Sequence, residues 1–223
     1  MADYINKNIL CQAYIHVEPD DISDEIAQAL KIHLTEFVKS RGDFFLYPNP
    51  DVEIEVKEGS LKVYATIVGT VAAALYTGVA NYPTFREGAI VLYEDAKRLS
   101  EYIAAEGLFA TRARHTQVIR VEARTGVIGS IKKIVAAFDA LKAMDGTVTA
   151  DKQLAKLKEI DEDIDKLMDN LKSQEDIELV KNGLLEIAGD APQKPSDPPR
   201  KRSHPMDVIR YRNLLKAVKS KLS

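Results

Sequence analysis

An uncharged stretch from Val63 to Tyr82 constrains this chain more than any other feature. Its sequence, VYATIVGTVAAALYTGVANY, interrupts a chain in which 29% of the residues are charged. A helix of about 20 mostly apolar residues is long enough to cross the roughly 30 Å hydrocarbon layer of a membrane. Ala, Gly and Thr outnumber the large aliphatic residues here, which is typical of closely packed helices. The stretch is therefore predicted to be either a membrane-contacting helix or a core helix.

Small residues four apart along this stretch would let a second helix approach closely. A missing polar face favours contact with lipid or with another subunit, because a surface helix normally shows one. The alternative stays open, since the alternation over residues 63–67 is that of a strand, which would leave only a short helix after it. The predicted membrane or subunit contacts are Gly69, Ala73, Ala74, Gly78 and Tyr82.

The patterns on both sides of this stretch predict an α+β fold. Residues 1–62 have alternating apolar positions around an amphipathic helix, which indicates a β-α-β-β unit. Residues 63–146 would hold the uncharged central helix and a helical, basic middle part. Three-four spacing of Leu and Ile predicts a helical hairpin over 147–189. A Pro-rich linker, 190–205, then tethers a basic amphipathic helix, 206–223.

The C-terminal helix is predicted to be a docking element, because it is tethered, basic and amphipathic. It could bind a groove on a partner protein, return to its own fold, or lie on an anionic membrane. The apolar residues predicted to dock are Val208, Tyr211, Leu215, Val218 and Leu222.

Basic residues cluster around a predicted strand, Gln117 to Ala123, and a glycine-containing turn that follows it. A turn that leads into a helix N-terminus can present backbone N–H groups to an anion, and nearby cations strengthen that interaction. A solvated basic face is the competing interpretation, since the turn lacks the ending of a phosphate-binding loop. The anion-binding candidates are Arg112, Arg114, Arg120, Arg124, Gly126, Gly129, Lys132 and Lys133.

Composition argues against several functional classes. The net charge of −3 gives no general attraction to nucleic acid, so a nucleic-acid partner is not expected. One cysteine, Cys11, leaves no multi-cysteine metal site, and four scattered histidines show no ligand spacing. Catalysis normally needs a positioned nucleophile or an acid–base pair, and the sequence shows neither arrangement. We therefore expect a non-enzymatic protein without a metal or cofactor.

Four segments in order resemble small membrane-associated effector or accessory proteins of bacterial antiviral conflict systems. They are the turn Glu58-Gly59-Ser60-Leu61, the stretch Val63–Tyr82, the segment Tyr82–Gly88 and the motif Arg124-Thr125-Gly126. The resemblance covers about a third of the chain and carries no catalytic motif. It implies a membrane-associated effector or accessory subunit rather than an enzyme.

These observations predict a self-associating interaction or effector protein that acts at a membrane, in the setting of bacterial antiviral defence. A homo-oligomer in the cytoplasm or on the cytoplasmic face of a membrane is expected, with a protein partner bound through the C-terminal helix. The alternative is a soluble adaptor or regulatory subunit of a protein complex, with the same helix as its docking element.

Overall fold

A four-stranded antiparallel sheet organises the first of two units, Met1–Gly129 and Ser130–Ser223. The structure, a computed structural model, describes residues 8–18, 23–57, 60–79 and 83–223. The strands are β1 (Ile9–Val17), β2 (Asp51–Lys57), β3 (Leu61–Val68) and β4 (Val118–Arg124), in the spatial order β2-β3-β1-β4. The helices of this unit are α1 (Asp24–Phe45), α2 (Val71–Val79) and α3 (Phe85–Ala110).

This strand order, with α1 between β1 and β2 and α3 between β3 and β4, is the β-α-β-β-α-β arrangement of ferredoxin-like folds. The prediction of an α+β fold with an N-terminal β-α-β-β unit is confirmed. The sequence division at residue 62 differs from the structural one, because β4 returns to pair with β1 some hundred residues earlier in the chain. Fold class alone does not indicate function.

Local sequence explains where the two long helices begin. The Ser23 hydroxyl accepts a hydrogen bond from the N–H of Ile26 at 3.4 Å, and the Thr84 hydroxyl accepts one from Glu87 at 3.3 Å. Both residues are N-caps of a kind that satisfies otherwise unpaired N–H groups of the first turn. Both helices pack on one face of the sheet: α1 contacts β2 and β3, while α3 contacts β1 and β4.

The uncharged stretch is shared between two elements rather than forming one long helix. Its first part is β3, in which Val63, Ala65 and Ile67 are fully buried. Its second part is α2, which has only nine residues and packs on α3. Residues 63–67 therefore belong to a strand, as their alternation indicated, and not to a helix. Among the described residues, no helix combines the length and the apolar character needed to cross a bilayer.

The contacts predicted for the small residues of this stretch need correction. A side chain at Gly69 would collide with the Tyr47 hydroxyl of the same chain, and Ala74 is only 3% exposed. Ala73 is half-buried, and its N–H donates to the Thr70 hydroxyl at the start of α2. These residues therefore pack within their own fold, and the helix that carries Ala73 and Ala74 has nine residues, too few to cross a membrane. The surroundings of Gly78, and Tyr82 as a whole, lie outside the described residues, as do Glu58 and Gly59.

The second unit is helical. It contains most of α4 (Gly126–Met144), together with α5 (Ala150–Asn170), α6 (Gln174–Gly189) and α7 (Pro205–Leu222). The closest helix packing among α5, α6 and α7 is that of α7 on the other two. The core has the three-four spacing that the sequence predicted for α5, with Leu157, Ile160 and Ile164 fully buried.

The Pro-rich segment between α6 and α7 is attached to its unit rather than serving as a free spacer. The backbone N–H of Ser196 donates to Asp145 at 2.7 Å, and the Ser203 hydroxyl accepts from the N–H of Ala150 at 2.8 Å. Ala191 is buried at 4% exposure, and the Ser203 N–H donates to Asp197 at 2.8 Å. These bonds fix the start of α7 beside the start of α5.

Candidate functional site

The predicted basic cluster divides into separate local arrangements. On β4, the side chains of Arg120 and Arg124 both form ion pairs with Glu122. Burial raises the pKa of Glu122, but hydrogen bonds and charges from Arg124 and then Arg120 outweigh it, so that its pKa is lowered overall. These two cations therefore already have an anion, which is a carboxylate of their own strand.

Arg124 is further held by the central strands. Its Nη1 donates to Oε1 of Gln12 at 2.9 Å, and Nε2 of Gln12 donates to the Thr66 hydroxyl at 2.8 Å. The Arg124 guanidinium also lies 5.3 Å from the ring centre of Tyr14. Gln12 is 4% exposed, so this chain of bonds satisfies a buried amide and is structural.

The glycine turn after β4 is shaped by close packing. Gly126 has φ = 48°, and a Cβ there would overlap the carbonyl oxygen of Ile9. A side chain at Gly129 would collide with the Thr125 hydroxyl. Glycine is needed at Gly126 because the backbone is left-handed and another strand lies against it. These contacts account for both glycines without an anion.

The other predicted anion-binding residues lie elsewhere. Arg112 and Arg114 are exposed in the connection between α3 and β4. In the second unit, Lys133 pairs with Asp163 at 2.7 Å, and Lys132 of the same helix is half-buried. The eight predicted residues therefore have separate local surroundings, two of them in the second unit, and anion binding by them stays a prediction.

A groove lined by aromatic residues contains the most exposed large apolar side chains among the described residues of the first unit. It lies along α1 and α3 and has a volume of about 640 Å³. Phe44 and Phe109 are 79% and 80% exposed, and Tyr102 is 55% exposed. The lining residues are Phe37, Arg41, Phe44, Phe45, Tyr102, Ala105, Glu106 and Phe109.

The aromatic side chains of the groove contact one another across the two helices. The ring centres of Phe44 and Phe45 lie 5.0 Å apart, in an edge-to-face arrangement. Phe45 of α1 reaches Tyr102 of α3, with ring centres 5.7 Å apart. The Arg41 guanidinium lies 5.4 Å from the ring centre of Phe37. The groove is therefore an ordered surface with a cation at its edge.

A carboxylate marks the α3 side of this groove. Oε1 of Glu106 lies 2.7 Å from Nε2 of His33, whose ring stacks on Phe37 at 6.4 Å between centres. The groove was not predicted from the sequence, because its lining comes from two helices that are far apart in the chain. Phe44 and Phe109 do carry a signal of exposure in the sequence. Each lies near the end of its helix and off the pattern of positions, three or four residues apart, that are buried.

The predicted docking face of the C-terminal helix also needs correction. Tyr211, Leu215, Val218 and Leu222 are at most 2% exposed, and α7 packs on α5 and α6 of its own chain. Val208, the fifth predicted residue, is half-buried. The intramolecular alternative therefore holds for the four buried side chains, which cannot also contact a partner protein.

Potential catalytic groups are few among the described residues. No group of three or more His, Cys, Asp and Glu side chains there could hold a metal ion. Cys11 is fully buried, and burial, only partly offset by a hydrogen bond from Ser100, raises the pKa of its thiol to about 12. A thiol with that pKa is almost entirely protonated at neutral pH and is a poor nucleophile.

Comparison with models of protein families, with curated proteins and with solved structures found no match for this chain.

Proposed function

We propose that this chain is a non-enzymatic interaction protein that self-associates through the aromatic groove of its first unit. The observation that carries the proposal is the exposure of Phe44 and Phe109, each about four-fifths open to water. Complete burial of a side chain of this size contributes about 1.5–3 kcal/mol. Apolar surface concentrated in one ordered groove is typical of a protein-binding surface.

The area of the groove suits a partner of protein size. An aromatic side chain can bury about 150–250 Å², so the exposed parts of Phe44, Tyr102 and Phe109 amount to roughly 400 Å². A standard interface buries about 800 Å² on each partner. These three side chains would thus form about half of such a surface, in the central position where aromatic residues contribute most to binding.

The charges at the groove favour a second copy of this chain as the occupant. Arg41 lies on α1 and Glu106 on α3, on the two different helices that line the groove. In a two-fold symmetric pair each surface meets itself, so Arg41 of one copy can face Glu106 of the other. The symmetric pair would then combine hydrophobic contact with two symmetry-related charge pairs, which suits binding.

Sedimentation of the full chain tests this proposal. We expect a dimer that dissociates on dilution, and a monomer at the same concentrations for the double variant Phe44→Ser/Phe109→Ser. A matched control, Ile32→Ser/Ile119→Ser, removes two side chains that are 53% and 51% exposed outside the groove. The control should remain a dimer.

Two results would overturn self-association through this groove. One is a wild-type chain that stays monomeric up to high concentration. The other is a double variant that dimerises as tightly as the wild type. Circular dichroism and thermal unfolding of each variant would establish that the change in mass is not a loss of folding.

The soluble-adaptor alternative uses the same groove in another way. Its lining follows three-four spacing on α3, at Tyr102, Ala105, Glu106 and Phe109, and such a surface can accept an amphipathic helix of a different protein. In that case the wild-type chain would sediment as a monomer. A role in bacterial antiviral defence stays a prediction from the sequence resemblance.

A further inference from the structure

The C-terminal segment is the most basic part of the chain. Residues 200–223 contain eight Arg and Lys residues and one acidic residue, although the whole chain has a net charge of −3. Two of these cations have weak internal partners: Arg202 lies 3.8 Å from Asp197, and Arg210 lies 3.6 Å from Asp207. Five more form no ion pair with the described residues: Arg200, Lys201, Arg212, Lys216 and Lys219.

Docking of α7 on its own unit fixes which side of the helix faces outwards. Tyr211 and Val218 are fully buried. Lys221 strengthens the attachment, because its Nζ donates to both Asp161 and Asp165 at 2.6 Å. The opposite side of α7 is therefore held as a surface of fixed composition.

Two aliphatic side chains lie in the middle of this outward side. Met206 and Ile209 are each 48% exposed and are three residues apart, so they share one line along the helix. A rotation of about 100° per residue places Arg210 on one flank of that line and Arg212 and Lys216 on the other. Ile209, Arg212, Lys216 and Lys219 line one open groove, together with Gln193 of the preceding segment.

We propose that this surface, the outward side of α7, binds the anionic surface of a membrane. Aliphatic side chains flanked by cations are the arrangement of helices that lie at a lipid interface. The aliphatic groups reach the boundary of the acyl chains while Lys and Arg extend to the headgroups. Each cation near an anionic leaflet strengthens binding by about fivefold.

The composition of the surface favours lipid over nucleic acid. Single-stranded nucleic acid is bound by exposed aromatic side chains on which bases stack, together with cations. The aromatic residue of α7, Tyr211, is buried. Between its cations the outward side presents Met206 and Ile209, which suit acyl chains, followed by the exposed polar Asn213.

Vesicle sedimentation with the full chain tests the proposal. Vesicles of phosphatidylcholine mixed equally with phosphatidylglycerol should bind the protein, and binding should fall at high salt. Vesicles of phosphatidylcholine alone should bind it at least about a hundredfold more weakly, because they lack the charge that several cations recognise. The proposal is overturned if both kinds of vesicle bind equally or if neither binds.

Two variants locate the surface. Arg212→Glu/Lys216→Glu/Lys219→Glu should weaken binding at least about a hundredfold, and Met206→Ser/Ile209→Ser should weaken it by about tenfold. A control with the same change in charge, Lys31→Glu/Lys97→Glu/Lys158→Glu, alters exposed lysines on other helices. It should bind anionic vesicles clearly more tightly than the α7 triple variant, and equal losses would contradict the proposal.

A third arm separates this inference from self-association and from nucleic-acid binding. Phe44→Ser/Phe109→Ser should still bind anionic vesicles as a monomer, so that either proposal can fail alone. A single-stranded oligonucleotide that binds more tightly than the vesicles, and displaces the protein from them, would overturn lipid as the occupant.

Discussion

The C-terminal helix buries its aromatic residue, whereas the α1–α3 pair exposes aromatic residues to water. Tyr211 of α7 is fully buried against neighbouring helices of its own unit, whereas Phe44 of α1 and Phe109 of α3 are about 80% exposed. Both arrangements occur on helices with apolar residues at three-four spacing. The difference is that α7 packs on α5 and α6 of its own unit. By contrast, no element of the described chain covers Phe44 and Phe109, which lie near the C-terminal ends of α1 and α3.

This comparison shows why amphipathic spacing does not reveal what a helix binds. The pattern on α7 predicted a docking element, and its partner is the same chain. On α1, Leu34 and Val38 are fully buried, and Phe44 lies two turns further along and outside the core. Spacing identifies the side of a helix that avoids water, but the rest of the fold decides which surfaces remain uncovered.

The largest contrast is expected from removing an aromatic side chain in each region. Tyr211→Ala should lower the free energy of unfolding by about 3–5 kcal/mol, as for other large residues removed from a core. Phe109→Ala should change the stability of the monomer by about 0.5 kcal/mol or less, because the side chain is exposed. Urea unfolding at a concentration below that of association measures both. Equal losses would contradict the assigned difference in burial.

A second contrast concerns a glycine from each unit. Gly126→Ala should cost about 1–3 kcal/mol from the left-handed backbone alone, and the overlap with the Ile9 carbonyl adds to this. Gly146 has φ = 69° and no described residue within 4 Å of its Cβ position, so Gly146→Ala should cost the same backbone strain of about 1–3 kcal/mol without an added overlap. Thermal unfolding of the two variants should rank them in this order, and the reverse order would refute the close approach at Gly126.

Alkaline pH should lower the folding stability of both units, because each contains a buried group that loses its proton at high pH. Burial raises the pKa of the Tyr211 phenol from 10.0 to about 12, with a further contribution from the charge of Asp145. Because the folded chain holds this proton more tightly than the unfolded chain, its contribution is complete below pH 10.0 and is lost as the pH rises towards 12. Cys11 gives the same direction of change between pH 9.0 and about 12.

Tyr211→Phe separates these two contributions. The Tyr211 hydroxyl is buried and has no hydrogen-bond partner among the residues that the structure describes. The variant should therefore be as stable as the wild type or more stable by up to about 1 kcal/mol. It should also lose less stability than the wild type between pH 10 and 12. Urea midpoints across this pH range provide the measurement. A steeper alkaline loss in Tyr211→Phe would be incompatible with a buried neutral phenol.

The smallest effect is expected from the ion pairs that attach α7. Burial lowers the pKa of Lys221, but hydrogen bonds to Asp161 and Asp165 outweigh it and raise the pKa overall. Lys221→Met should cost about 1 kcal/mol or less, since the lysine is one-third exposed. The loss should shrink in high salt, as a urea titration with added sodium chloride would show, and a loss as large as that of Tyr211→Ala would mean that charge rather than apolar burial holds α7.

Local patterns allowed much of the fold to be predicted. Alternation identified β1 and β2, and Ser23 and Thr84, residue types that favour N-cap positions, stand where α1 and α3 begin. The pairing of β4 with β1 was not accessible, because it joins strands about a hundred residues apart and leaves no local signal. For the same reason, the uncharged stretch could not be assigned to a core until β3 was seen between two partner strands.

The candidate surfaces were harder to predict than the fold. A cluster of basic residues along the sequence, such as Arg120 and Arg124, indicated an anion site, although Glu122 between them already forms an ion pair with each. The aromatic groove brings together α1 and α3, which are separated by two strands and a further helix. The exposure of a phenylalanine depends on whether another element packs over it, and that is decided by the tertiary structure.

Position-specific cross-linking tests most directly that the α1–α3 groove is the surface where two copies meet. Ala105→Cys places a thiol in the groove, and the native Cys11 is fully buried and so should not react. With a short thiol–thiol cross-linker, we expect a covalent dimer for Ala105→Cys, and none for Ala217→Cys on the outward side of α7. Cross-linking at Ala217 but not at Ala105 would contradict self-association through this groove.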